Sequence, residues 1–199
     1  GPFSAKPGYA SVTEGYAGLR YIDGMPGQPP VRPNISLGDT VAGIHAALGV
    51  ALAIIERTKS GNGQVVDVAL YESVFNLLEG IIPEFDGAGI IREPSGTTIT
   101  GIVPTNTYTC KDGKHVIIGG NGDSIFKRLM TAAERSDMAN DPALAQNPGR
   151  VIHQEAIDQA LADWCIKHNA AEIIDKLEAA RVPVGPIYSA ADMMADPHY

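Results

Sequence analysis

The stretch "SLGDTVAGIH", residues 36–45, sets one carboxylate, Asp39, between Gly38 and an apolar run with no further acidic residue until Glu56. A lone acid at the head of such a run has two uses. It caps a helix by accepting hydrogen bonds from the unpaired N–H groups of the first turn, worth about 1 kcal/mol. Alternatively, favoured in its charged form by the positive end of the helix dipole, it acts as a nucleophile. Gly38 would let the backbone turn tightly and leave room for a ligand. A second candidate, "IIGGNGD" at 117–123, ends a strand-like run in glycines but has neither the GxGxxG spacing nor the Lys-Ser/Thr of a phosphate loop, so it reads as a strand-to-helix turn. A third, "PSGTTITG" at 94–101, has small residues, with Gly96 and Gly101, that suit either a lid or an exposed linker. Lys6 and Tyr9, in "KPGY", carry no chemistry on their own. The five histidines and the two cysteines, Cys110 and Cys165, show no triad, Cys-His or CxxC spacing, so hydrolase chemistry, a zinc site and a disulfide framework have no support.

The elements that must position these residues follow from pattern. Residues 1–36 are rich in proline and glycine, with a short helical segment in "YASVTEGYAGLRYI". Thr40 to Lys59 reads as a helix that starts behind a capping Asp39 and stops at the Gly-rich "SGNGQ". "QVVDVAL" has the length and β-branching of a strand, and "YESVFNLLEGII" returns to a helical period. Helix, strand and helix predict an α/β layer with the apolar helix buried inside it. From Pro83 to Gly101 the texture is that of a loop, which predicts a large-domain portion at 1–82, a linker at 83–101 and a small α+β domain at 102–199. In the last part, "VPTNTYTCKDGKHVIIGG" predicts a hairpin with a type I′ turn at Asp-Gly. Helices are predicted in "GDSIFKRLMTAAE", "HQEAIDQALADWCIKH" and "NAAEIIDKLEAAR", with a short strand after Val182-Pro183.

The totals bound the function. At 199 residues and 44% hydrophobic, the chain can build one compact domain or two small ones. Its net charge of −8, with Lys and Arg scattered, argues against a nucleic-acid or anionic-membrane surface. Val41 to Ile55 falls short of the roughly 20 residues of a membrane span and is interrupted by His45. A reducing cytoplasm fits the cysteine usage. The ends, "GPFSAKPGY" and "ADPHY", read as the interior of a longer chain.

Taken in order, the segments "GPFSAKPGYASVTEGYAGL", "PVRPNISLGDTVAGIHAALGVALAIIERTKSGNGQVVDVALYES", "GIVPTNTYTCKDGKHVIIGGNGDSIFKRL" and "VPVGPIYSAADMMADPH" resemble the family III CoA-transferases. That family includes formyl-CoA and carnitine CoA-transferases and, as a branch, α-methylacyl-CoA racemase. The resemblance implies a Rossmann-like large domain, here only in part, followed by a small α+β domain. It further implies a homodimer of interlocked chains in the full-length protein. Asp39 stands where the family has its catalytic aspartate, which exchanges CoA between an acyl-CoA and a free carboxylic acid through mixed-anhydride and aspartyl-CoA thioester intermediates. Lys6, Tyr9, Gly38, Gly96 and Gly101 are the implied CoA-site residues, with Tyr9 lining the acyl or pantetheine pocket. Coenzyme A enters as substrate, and no metal or redox cofactor is implied. The loop from Ser95 to Gly101 has fewer glycines than the family's mobile loop, and Glu134 stands near a position where the family usually has glycine. The racemase branch has His-Asp where this chain reads Tyr9-Ala10, which removes one of the two bases that racemisation needs and favours the transferase. Asp123 lies near an acid used in racemases and here reads as a helix cap. An acyl-CoA racemase or isomerase, and an inactive acyl-CoA-binding fragment, are the alternatives.

Overall fold

A computed structural model describes residues 2 and 4–199, which divide into two compact units, Gly1–Gly96 and Thr97–Tyr199. The first is helical: α1 (Ala10–Tyr16), α2 (Leu19–Ile22), α3 (Leu37–Ser60), α4 (Leu70–Phe75) and α5 (Ile81–Ala88). Gly18, at φ +97°, splits the predicted N-terminal helix into α1 and α2. Gly61, at φ +76°, ends α3 with its N–H on the Arg57 carbonyl, the glycine stop expected from "SGNGQ".

Three expectations for this unit are corrected. The "QVVDVAL" stretch forms no strand, because no ladder partner meets it among the described residues, and Val65 is 91% exposed. The loop expected over 83–101 is largely folded into the unit: α5 occupies its start, Arg92 bridges Glu79 and Glu84, and the Gly96 N–H bonds the Gly24 carbonyl at 2.9 Å. The apolar helix is not sheathed. α3 buries only Gly38, Val41 and Ala42, where α1 and α4 pack on it, while Ile44, Leu48, Leu52 and Ile55 lie more than half exposed. The helix also exceeds the Val41–Ile55 limit: at 24 residues it has the length and apolarity of a membrane span as well as those of a core helix, and only 11% of its most apolar window is buried.

The second unit carries its own core. β1 (Thr105–Thr109), β2 (His115–Gly119) and β3 (Val184–Pro186) form a three-stranded antiparallel sheet in that order. Thr107 faces Ile117 in the first ladder, and Ile117 faces Gly185 in the second. The hairpin is present, but its turn is not type I′. Gly113 alone takes a positive φ, +77°, and its N–H reaches the Cys110 carbonyl, so a type I turn is followed by a glycine bulge. Helices α6 (Asp123–Ala132), α7 (Ser136–Ala139), α8 (Asn147–Ile152), α9 (Gln154–Cys165), α10 (Ala170–Ala179) and α11 (Ala190–Ala195) complete the unit. Val116 and Ile118 of β2 point into a cluster with Phe126, Leu129, Ile157, Leu161, Ile173 and Leu177. Glu134 adopts φ +63° just beyond α6, a conformation that favours glycine, and its carboxylate meets Lys176 at 2.9 Å.

Candidate active site

Asp39 sits in the first turn of α3 but does not cap it. The cap position belongs to Ser36, three residues earlier, whose carbonyl accepts the Thr40 N–H at 3.1 Å and whose side chain makes no capping bond. The Asp39 carboxylate is exposed and accepts no hydrogen bond from the described residues. It therefore combines a place at the positive end of the helix dipole with freedom to meet an incoming electrophile.

Gly38 has a different role from the tight turn expected of it. It lies within the helix, buried, and a Cβ placed on it would come 3.0 Å from Ala10 Cβ and 3.4 Å from Val74 Cγ2. Its missing side chain lets α1 and α4 close on the start of α3. This contact brings two candidates into one neighbourhood, because Tyr9 precedes Ala10 and Asp39 follows Gly38. Tyr9 is 84% exposed, and its carbonyl accepts the N–H groups of Val12 and Thr13 at the head of α1. Lys6 is exposed on the segment leading to Tyr9.

Beneath the same helix start lies a group that sequence reasoning missed. Glu14 of α1 is fully buried; its Oε1 accepts the Gly38 N–H at 3.3 Å and its Oε2 accepts Arg20 Nε and Nη2 at 2.9 and 2.8 Å. Arg32 stands 3.9 Å from the same Oε2. The six-residue spacing from Glu14 to Arg20 was the available signal, hidden because the two residues lie on different short helices.

The loop glycines fall in separate units. Gly96, at φ +70°, belongs to the first, where an added Cβ would stand 3.1 Å from Met25 Sδ. Gly101, at φ +82°, belongs to the second, and its carbonyl accepts Asn147 Nδ2 at 2.8 Å. In that unit "GGNGD" is the strand-to-helix turn expected. Gly122 is the cap residue, however, and Asp123 instead pairs with Arg150 Nη2 at 2.8 Å. Arg150 is wholly buried and also donates to the carbonyls of Val103, Asn121, Leu144 and Ala145. Among the described residues, no group of three His, Cys, Asp or Glu side chains is placed to hold a metal ion.

The profile described as CoA-transferase family III matches residues 1–199. The chain belongs to this family. Among curated relatives, the succinyl-CoA–D-citramalate CoA-transferase of Chloroflexus aurantiacus is 40% identical over 199 residues, covering 100% of this chain and 50% of that one. The alpha subunit of succinyl-CoA–L-malate CoA-transferase from Chloroflexus aurantiacus is 34% identical, covering 100% and 47%. The fold matches a CaiB/BaiF family protein of Brucella suis with a TM-score of 0.80 at 27% identity, over 100% of this chain and 52% of that one. The family III chain described here thus spans about half the length of the curated relatives it matches.

Proposed function

We propose that the complete protein transfers CoA from an acyl-CoA to a free carboxylic acid, with Asp39 as nucleophile. The observation that carries this reading is the Asp39 carboxylate, exposed and without a protein hydrogen bond in the first turn of α3, in a chain of CoA-transferase family III. In the first step a carboxylate oxygen of Asp39 attacks the thioester carbonyl, forming a mixed anhydride and releasing CoA thiolate. The thiolate then attacks the aspartyl carbonyl, the donor acid leaves, and an aspartyl-CoA thioester remains. The acceptor carboxylate repeats these steps in reverse and restores Asp39. Covalent catalysis divides one difficult exchange into easier ones.

The relatives named above support succinyl-CoA as donor and a hydroxylated dicarboxylic acid as acceptor. Tyr9, in place of a histidine, supports transfer over racemisation, as does the engagement of Asp123 by Arg150. Lys6, Tyr9, Gly38, Gly96 and Gly101 remain the proposed CoA-site residues, with the interlocked homodimer as the assembly and the cytoplasm as the compartment.

The test uses the complete protein with succinyl-CoA and a panel of citramalate, malate and other dicarboxylic acids. Hydroxylamine added after succinyl-CoA should convert Asp39 to a hydroxamate, detected by peptide mass. Asp39→Ala should lower transfer by at least about a thousandfold, the scale of losing a covalent nucleophile. Transfer at the wild-type rate by that variant would refute the assignment. Exchange of α-hydrogens with solvent deuterium in the absence of an acceptor acid would point to the racemase instead.

A further inference from the structure

Glu14 has no part in the steps above, yet it is a fully buried carboxylate that accepts the N–H of Gly38, the residue immediately before the nucleophile. We propose that Glu14 is a positioning residue for Asp39, acting through the Gly38 N–H. The inference rests on the reading of Asp39 as nucleophile.

A helix start leaves N–H groups without intrahelical partners. In α3 the residue at the cap, Ser36, offers no side-chain bond, so the group that a local cap would satisfy is taken by a residue of another helix. Glu14 Oε1 holds the Gly38 N–H at 3.3 Å, while Oε2 is held by the Arg20 fork at 2.9 and 2.8 Å. The two oxygens divide the work. Arg20 fixes the carboxylate and offsets the cost of burying its charge, and the carboxylate in turn fixes the first turn of α3. On the same stretch of backbone, Gly38 abuts Ala10 and Val74 so closely that an added Cβ would stand 3.0 and 3.4 Å from them.

A hydrogen bond and a steric stop thereby set both the sliding and the rotation of the helix start against α1. Asp39, the next residue, is left on the exposed side. A nucleophile displaced by roughly 1 Å from its attack geometry loses up to about 100-fold in rate, so this clamp should act on kcat rather than on acyl-CoA binding.

Two substitutions in the complete protein separate reach from charge. Glu14→Gln keeps the length of the side chain and an oxygen for Gly38 but turns its amide NH2 toward the Arg20 fork; Glu14→Asp keeps the charge for Arg20 but withdraws by one methylene. Positioning requires that Glu14→Asp lose about ten- to a hundredfold in kcat with little change in the KM for succinyl-CoA, and that Glu14→Gln, whose oxygen still reaches Gly38, lose less than Glu14→Asp. The Gly38 amide should lose hydrogen-exchange protection in Glu14→Asp alone, and hydroxamate formation at Asp39 should slow in proportion to kcat. The opposite order, with Glu14→Asp active and Glu14→Gln impaired, makes Glu14 a structural ion-pair partner and overturns the proposal. Equal kcat in both variants and wild type overturns it too. A wild-type rate in Asp39→Ala removes the nucleophile and the positioning role together, whereas a dead Asp39→Ala beside a fully active Glu14→Asp removes only the latter.

Discussion

Asp39 was legible because its signal is local: a glycine, an acid and a long apolar run. Its exact station was not, since Ser36 three residues earlier satisfies the same cap preference and the choice between them depends on where the chain first turns helical. Glu14 was illegible for a different reason. Its partners, Arg20 and Gly38, are separated from it by 6 and 24 residues and meet only because α1 packs on both α2 and α3. The two cysteines lie in the core of the second unit. Both are unpaired and buried, and burial, with Cys110 as neighbour, pushes the Cys165 thiol up to about 12. Because the thiolate is the reactive form, neither cysteine should react with a thiol-specific disulfide reagent at pH 8 in the folded protein, and both should react once it is unfolded in guanidinium. Titration of Cys165 by the reagent without denaturant would contradict its burial.

At the scale of elements, periodicity located the long pieces and missed the polar, broken ones. α9 and α10 show the i, i+3, i+4 pattern of a helix with one buried face, and they stand where expected. The stretch from Ser136 to Ile152 carries no such stripe and still folds into α7, a 3-10 turn and α8. Its readable marks were Pro142 and Pro148, each at the first positions of its helix. What holds this stretch is Arg150, whose guanidinium gathers carbonyls from three separate loops and lies 5.0 Å above the Phe126 ring. One turn earlier, Asn147 bridges the Gly101 carbonyl and the Val103 N–H. Arg150→Met preserves much of the volume but leaves buried carbonyls without donors, so it should cost about 3 kcal/mol of unfolding free energy, measured by urea denaturation. A loss under about 0.5 kcal/mol, the range of ordinary surface substitutions, would show that water or neighbouring groups replace those bonds. His45 plays a similar, milder part in the first unit. Its Nδ1 lies 2.9 Å from the Val41 carbonyl, to which it must donate, leaving Nε2 to accept from Asn76 at 3.3 Å and so tie α3 to the end of α4.

Across the whole molecule, apolar burial is uneven. The second unit encloses a continuous cluster from Val103 to Val182, whereas the first leaves most of its longest helix uncovered. The prediction of a buried apolar helix came from composition, and composition records what a surface needs rather than what covers it. An exposed apolar face of this extent favours association. A polypeptide limited to these 199 residues should therefore bind a hydrophobic dye strongly and scatter light as a species larger than a monomer. A dye-silent monomer would mean that α3 finds cover within the chain.

The same unevenness bears on how the chain acquires structure during translation. Of the two units, the one translated earlier holds Asp39 but little core of its own. The half that follows carries a sheet, packed helices and a sealed interior, and contains what a nascent domain requires to become stable. The later-made unit is thus equipped to fold ahead of the earlier one, and until its apolar helix is covered the segment bearing Asp39 is the natural client of a chaperone.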